Sequence, residues 1–243
     1  MLNYEKILDE ITKINQNSRH ANLRLVAGMY YDNVSETLFQ YPTLENKLDS
    51  DKWDYFRYRE LELIIQEIKR KNISGEMAEV GVYKGEFSAR MNVLFPSKKI
   101  YLFDTFSGFE NTDILWEVNN NLVEDGFLSI IDQYKNTSEA IVIKNMKYPE
   151  QCIIKSGYFP NSANGLDEAF CLVSIDVDLY LPTLNALEYF YPRLEKNGYI
   201  LVHDYNHDEL NGVKQAVWDY EKKVGSIAIL PIADQCGTII ITK

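Results

Sequence analysis

Phe170-Cys171-Leu172-Val173-Ser174-Ile175-Asp176-Val177-Asp178-Leu179-Tyr180 is an apolar, β-branched run that closes on two carboxylates. Downstream, Tyr199-Ile200-Leu201-Val202-His203-Asp204-Tyr205 repeats the design. Continuous apolar runs of this length read as parallel strands buried on both faces, and acids at their carboxyl ends lie where open α/β sheets bind ligands. Two such ends imply one shared site.

Working outward from these strands, the pattern alternates. Strands are predicted at 77–82, 100–104, 152–156, 170–177 and 199–203, with helices at 53–71, 91–95, 138–146, 182–196 and 213–222. Ile227-Ala228-Ile229-Leu230 and Thr238-Ile239-Ile240-Ile241, joined by Ala233-Asp234-Gln235-Cys236-Gly237, read as a closing hairpin. The expected fold is α/β: a Rossmann-like, doubly wound, mostly parallel sheet with a C-terminal antiparallel hairpin and an N-terminal helical extension. Residues 1–54 form that extension, carrying a helix predicted over 2–14, and 55–243 the main domain. Within it, 105–135 is a long connection of the lid-like, inserted kind.

Composition narrows the function. The chain has 243 residues, 46% of them hydrophobic, enough for one sizeable core. Thirty-six acidic against 25 basic residues give a net charge of −11, which repels a phosphate backbone and argues against nucleic acid as a partner. The one basic cluster, Lys69-Arg70-Lys71, closes a helix, where cations oppose the helix dipole. No apolar stretch approaches the ~18 residues of a membrane span, and Met1-Leu2-Asn3-Tyr4-Glu5-Lys6 lacks the basic and apolar regions of a secretory leader. Cys152, Cys171 and Cys236 are odd in number and sit in or beside apolar runs, as buried free thiols do in a reducing compartment. The expected location is the cytoplasm. His20 and His207 read as lone surface histidines.

Glu79-Val80-Gly81-Val82-Tyr83-Lys84-Gly85 is a strand-to-helix turn whose glycines permit tight bending and close approach of a ligand to the helix N-terminus. It lacks the third glycine of the dinucleotide pattern, which argues against a nicotinamide cofactor. Asp104 ends the second strand about 20 residues further on, where a carboxylate can accept hydrogen bonds from a ribose diol or merely cap a strand.

Five ordered motifs carry a resemblance. They are Met77-Ala78-Glu79-Val80-Gly81-Val82-Tyr83-Lys84-Gly85, Tyr101-Leu102-Phe103-Asp104-Thr105-Phe106-Ser107-Gly108-Phe109, Lys155-Ser156-Gly157-Tyr158-Phe159-Pro160, Asp176-Val177-Asp178-Leu179-Tyr180 and His203-Asp204-Tyr205. Over roughly 55–243 the chain resembles the macrocin O-methyltransferase family. The resemblance implies a class I S-adenosylmethionine-dependent enzyme that methylates a hydroxyl of a sugar or nucleotide-linked sugar, in surface polysaccharide or natural-product glycan synthesis, with help from a divalent metal (Mg or Mn). It implies that Glu79, Gly81 and Gly85 line the methionine end of the cofactor, with Tyr83 beside them, and that Asp104 holds the ribose. Phe106 and Ser107 would border the adenosine, and Gly157 and Tyr158 would pass near the adenine. For Tyr83, Phe106 and Tyr158 the alternative is ordinary packing.

The family's metal site maps to Asp176, His203 and Asp204. Many relatives read Asp-Asp-Tyr where this chain has His203-Asp204-Tyr205, so His203 is a ligand, a partner that supports the ligands, or a strand cap. Asp176 is the first choice of catalytic base. Asp178 is second, because strand alternation points it the same way. Rival readings are a catechol or phenol O-methyltransferase and a catalytically silent cofactor-binding module. A homodimer built partly by residues 1–54 is expected.

Overall fold

A computed structural model describes residues 55–243. The 2–14 helix, the 1–54 extension and His20 lie outside the described residues. Seven strands form one sheet in the order β3-β2-β1-β4-β5-β7-β6. They are β1 (Glu76–Val80), β2 (Ile100–Asp104), β3 (Cys152–Ser156), β4 (Phe170–Ile175), β5 (Leu194–Val202), β6 (Ala228–Pro231) and β7 (Ile239–Thr242). The first five run parallel, and β7 pairs antiparallel with both β5 and β6. The expected closing hairpin is present.

Period-2 alternation splits the central strands between two cores. Met77, Leu102 and Leu172 face one layer, whereas Ala78, Phe103 and Val173 face the other. On the first face lies α1 (Tyr55–Lys71), whose Leu61, Ile64, Ile65 and Ile68 repeat at i, i+3, i+4 and i+7 as one buried stripe. Beside it are α2 (Glu86–Leu94), through Phe87 and Met91, and the helix Glu139–Asn145, through Val142. The opposite face is covered by Ala186, Leu187 and Phe190 of the helix Tyr180–Arg193 and by Val213, Val217 and Tyr220 of the helix Asn211–Val224. With both faces covered, every residue of β4 is buried.

The connection 105–135, expected from sequence to be a lid-like insertion, is largely helical. It contains α3 (Asn111–Asn119), α4 (Asp125–Leu128) and a 3₁₀ turn, Ile131–Lys135. Phe109 and Tyr134 meet with ring centroids 5.0 Å apart and Phe127 joins them, so the segment carries its own apolar cluster. Trp116 stacks on Tyr180 at 4.0 Å, fixing α3 to the helix after β4. Completing the chain order are α5 (Glu139–Asn145), which holds Val142, α6 (Tyr180–Arg193) and α7 (Asn211–Val224).

Boundaries move where polar residues blur the pattern. The first strand stops at Val80 and β4 at Ile175, each two residues earlier than predicted. Conversely β5 begins at Leu194, five residues earlier, because Leu194 pairs with Phe170 before a register shift admits the polar Glu195-Lys196-Asn197-Gly198. Helix α2 starts at Glu86 rather than at Met91, and α6 runs Tyr180–Arg193 instead of 182–196.

Strand order reverses between β1 and β4, which is where such sheets open a crevice. Just beyond the strand ends the ladder continues for one residue. Gly157 N–H donates to Asp104 O, Gly81 N–H to Phe103 O, Asp176 N–H to Val80 O and His203 N–H to Ile175 O, each at 2.9 Å. Five loop starts are thereby set side by side along one edge.

Candidate active site

The turn after β1 is built for close contact. Gly81 has φ 82°, and a Cβ there would lie 1.7 Å from the Asp176 carbonyl oxygen, so only glycine lets the β1 and β4 ends sit this near. Asp104 then holds the turn from the neighbouring strand. Its Oδ2 accepts the N–H groups of Val82 and Tyr83 at 2.8 Å, and its Oδ1 accepts that of Phe106 at 2.7 Å. Burial raises its carboxyl above the ordinary value, against the pull of these donors. A ribose contact at Asp104 would thus share a carboxylate that already organises the backbone.

Glu79 is buried at 1% exposure and accepts the Ser88 hydroxyl. Desolvation pushes its carboxyl up to about 8, with Ser88 and Arg57 pulling the other way.

Across the switch point three carboxylates converge. Oxygens of Asp176, Asp178 and Asp204 lie within 4.8 Å of one another. Asp178 arrives there for a different reason than predicted: β4 has ended at Ile175, and a left-handed backbone at Asp178 (φ 60°), not strand alternation, turns it inward. Asp204 has the same conformation, φ 57°.

Two cations answer these charges unevenly. Arg57, reaching in from α1, donates to Asp176 Oδ2 at 2.8 Å, and His203 Nδ1 lies 3.1 Å from Asp176 Oδ1 and 2.8 Å from Asp204 Oδ2. Burial works to raise the Asp176 carboxyl, but His203 and Arg57 outweigh it and hold it below the carboxylate range. Burial likewise opposes ionisation of Asp204, and His203 overrides it. His203 itself is pushed well above its ordinary value: desolvation and Arg57 act against the imidazolium, and the two aspartates prevail. Asp178 is raised well above the usual range by burial and by the charges of Asp204 and Asp176, which outweigh the opposing pull of His203.

One cleft of about 520 Å³ joins the glycine turn to this acidic edge. Of the residues expected at the cofactor, Gly85, Phe106 and Ser107 stay off its lining, and the others reach it. Gly85 instead starts α2 and packs on Val142 and Met146, Phe106 joins the α1-side core, and Ser107 is exposed with its N–H on Thr105 Oγ1. Tyr158 lines the cleft and donates to Asp113 Oδ1 at 3.0 Å. His207 is no surface histidine. It lines the cleft, and its Nδ1 accepts the Glu209 N–H at 3.1 Å.

Arg57 and Cys236 were missed by sequence reasoning. Arg57 sits in a helix whose legible signal was its apolar stripe, and it pairs with an acid 119 residues away. Cys236 was readable from topology. With β7 antiparallel to β5 and Ile239 opposite Val202, the loop before β7 must return to the edge where His203 stands.

A glycine-turned first strand, an acid at the end of the second and an antiparallel strand inserted before the sheet's last position define a class I S-adenosylmethionine-dependent methyltransferase. Sequence comparison extends this. Residues 54–239 match the model of the macrocin O-methyltransferase (TylF) family, and the chain belongs to that family. It is 22% identical over 197 residues to the 8-demethyl-8-(2,3-dimethoxy-alpha-L-rhamnosyl)-tetracenomycin-C 4'-O-methyltransferase of Streptomyces olivaceus, covering 75% of this chain and 70% of the relative. Similarity to the mycinamicin III 3''-O-methyltransferase of Micromonospora griseorubida is 22% identity over 223 residues, or 87% and 84% of the two chains. Among solved structures, the O-methyltransferase NovP superposes with a TM-score of 0.62 at 19% identity, covering 77% of this chain and 79% of that one. The last match shows the fold.

Proposed function

We propose that this protein transfers a methyl group from S-adenosylmethionine to a hydroxyl of a sugar or nucleotide-linked sugar, with a divalent cation at the acidic edge. The observation that carries the reading is the single cleft shared by the Gly81 turn and the Asp176, Asp178 and Asp204 carboxylates. Support for a sugar acceptor comes from the relatives, both named O-methyltransferases and one named for a rhamnosyl-bearing acceptor.

The residues fit both groups. The close-approaching Gly81 turn and the acid Asp104 suit a nucleoside with no pyrophosphate to bind. Three carboxylates this close repel one another unless a proton or a cation intervenes, and an all-oxygen set of this kind suits Mg²⁺ or Mn²⁺. Asp176, Asp178 and Asp204 would hold the ion, with His203 beside them. When bound, a divalent ion lowers the pKa of a coordinated hydroxyl.

The remaining work falls to the chain's side chains. Asp178 accepts the acceptor hydroxyl's proton at a carboxylate oxygen, since a carboxylate raised above its ordinary range is the better base. Asp176, the first choice from sequence, is held anionic by Arg57 and His203 and is the weaker base. Its place is to orient the acceptor. Tyr134 and Phe109 on the 105–135 segment wall the cleft and exclude water from the transfer.

Asp178→Asn is expected to keep S-adenosylhomocysteine affinity and to lower turnover by about 10²–10⁴-fold, the usual contribution of a general base. Unchanged turnover would remove Asp178 from this role, and unchanged turnover in excess chelator would remove the metal. A cytoplasmic location is also proposed, supported by three cysteines without disulfides. Among the described residues no helix is long and apolar enough to cross a membrane. We propose a homodimer as the working assembly, which the mass of the full chain in solution tests.

A further inference from the structure

We propose that Glu117, in the 105–135 segment, is a positioning residue for methyl transfer: it caps α6 and braces α7, the two helices that leave the acidic edge, so that the wall of the cleft and the turns carrying Asp178 and Asp204 are held as one unit. This rests on the reading of those carboxylates as the reacting edge and adds the group that holds their turns. Helix α6 begins at Tyr180, two residues after Asp178, and α7 begins at Asn211, at the end of the turns that follow Asp204. Each helix has a leucine at its N-cap, Leu179 or Leu210, with no side-chain cap hydrogen bond. Leucine offers no acceptor, so the first N–H groups of these helices need one from elsewhere.

Glu117 supplies it from α3. Its carboxylate accepts the Tyr180 N–H, and a Cβ on Gly212, in the first turn of α7, would collide with both of its oxygens. Glu117 is 1% exposed and does not line the cleft, so it acts on the turns rather than on a substrate. Two positive helix ends offset the burial of this acid. Desolvation raises its carboxyl to about 7 against the pull of the Tyr180 N–H, and in either protonation state an oxygen remains to accept that N–H. From Tyr180 the brace reaches the proposed base directly: Leu179 N–H donates to Val177 O at 2.6 Å, closing a tight turn around Asp178. On the other side, His207 N–H donates to Asp204 O at 3.1 Å, Leu210 N–H to His207 O at 3.4 Å and Val213 N–H to Leu210 O at 3.3 Å, a continuous set of turns from Asp204 into α7. The segment is fastened at other points as well. Trp116 stacks on Tyr180, Val123 bridges Leu210, and the Glu124 N–H donates to Glu209 O at 3.2 Å. Removing the Glu117 acceptor therefore loosens the turn at Asp178 without releasing the segment, whose Phe109 and Tyr134 line the cleft.

Glu117→Met keeps the length of the side chain and removes the acceptor, whereas Glu117→Gln keeps an acceptor. Amide hydrogen exchange on the full-length protein with S-adenosylhomocysteine bound reads the brace without reference to turnover. Exchange over 177–180 is expected to quicken at least about tenfold in Glu117→Met, with that of β2 unchanged, and to stay at the wild-type rate in Glu117→Gln. With S-adenosylmethionine and a panel of nucleotide sugars and glycosides, kcat should fall at least about tenfold in Glu117→Met at unchanged S-adenosylhomocysteine affinity, and recover in Glu117→Gln. Wild-type exchange in Glu117→Met, equal losses in the two variants, or a cofactor affinity that falls in step with kcat overturns the proposal. Should Glu117→Met fail to fold, Gly212→Ala presses a methyl group on the same carboxylate and is expected to quicken exchange over 177–180; unchanged exchange there overturns the proposal equally. Wild-type protein that methylates no acceptor of the panel, or Asp178→Asn with full turnover, overturns the functional reading instead and leaves the exchange result to decide this one.

Discussion

Acids a few ångströms apart serve different ends here because their surroundings differ. Asp176 faces a guanidinium and an imidazole and stays charged, Asp178 is governed by burial and two neighbouring acids more than by His203, and Glu79 is walled off from water. Glu79 offers a stability test. Its carboxyl sits at about 8 in the folded protein, against ~4.3 for a glutamate in an unfolded chain. The folded state therefore keeps a proton that the unfolded state releases. That contribution is fully present below about pH 4.3 and is lost as pH rises toward the folded value, at up to about 1.4 kcal/mol per pH unit. Urea midpoints measured across this window should fall for wild type and flatten for Glu79→Gln. Parallel slopes in the two proteins would contradict the assignment.

Among the elements, the strand ends carry the design, and Gly81 is where two of them nearly touch. Gly81→Ala puts a methyl group against the Asp176 backbone, so the expected loss is about 3 kcal/mol by denaturant midpoint, combining overpacking with left-handed strain. Gly165→Ala, also at positive φ (77°) but with nothing within 4 Å, should cost only the backbone part, about 1 kcal/mol. Equal losses would show that the close approach is not what Gly81 provides. The strands were legible because residues such as Phe170 to Ile175 are apolar on both faces, which only a doubly covered sheet requires. Their exact ends were not, since Asp176 and Val177 continue the pattern after the ladder has stopped. Asp104 and the glycine turn were legible from spacing. Arg57 was not, because nothing local distinguishes it from other cations on an amphipathic helix; only packing of α1 against α2 and β5 brings it to Asp176. The helices within 105–135 were hidden for a related reason: their apolar residues serve a small cluster of their own and give no long stripe.

At the level of the whole molecule, sheet order does the joining. Placing β4 beside β1 and β7 beside β5 gathers the Gly81 turn, three carboxylates, an imidazole and a thiol from distant segments into one cleft. A net charge of −11 disfavours polyanions such as nucleic acid as partners. In solution the full chain is expected at twice its 28.2 kDa mass, and a monomer by light scattering would contradict the dimer. The most direct test of the account is mass analysis of products after incubating the protein with S-adenosylmethionine and a matched panel of nucleotide sugars, glycosides and catechols. The expected result is one added methyl on a sugar hydroxyl with an equal amount of S-adenosylhomocysteine. Methylation confined to catechols, or no methylated product from any acceptor in the panel, would contradict it.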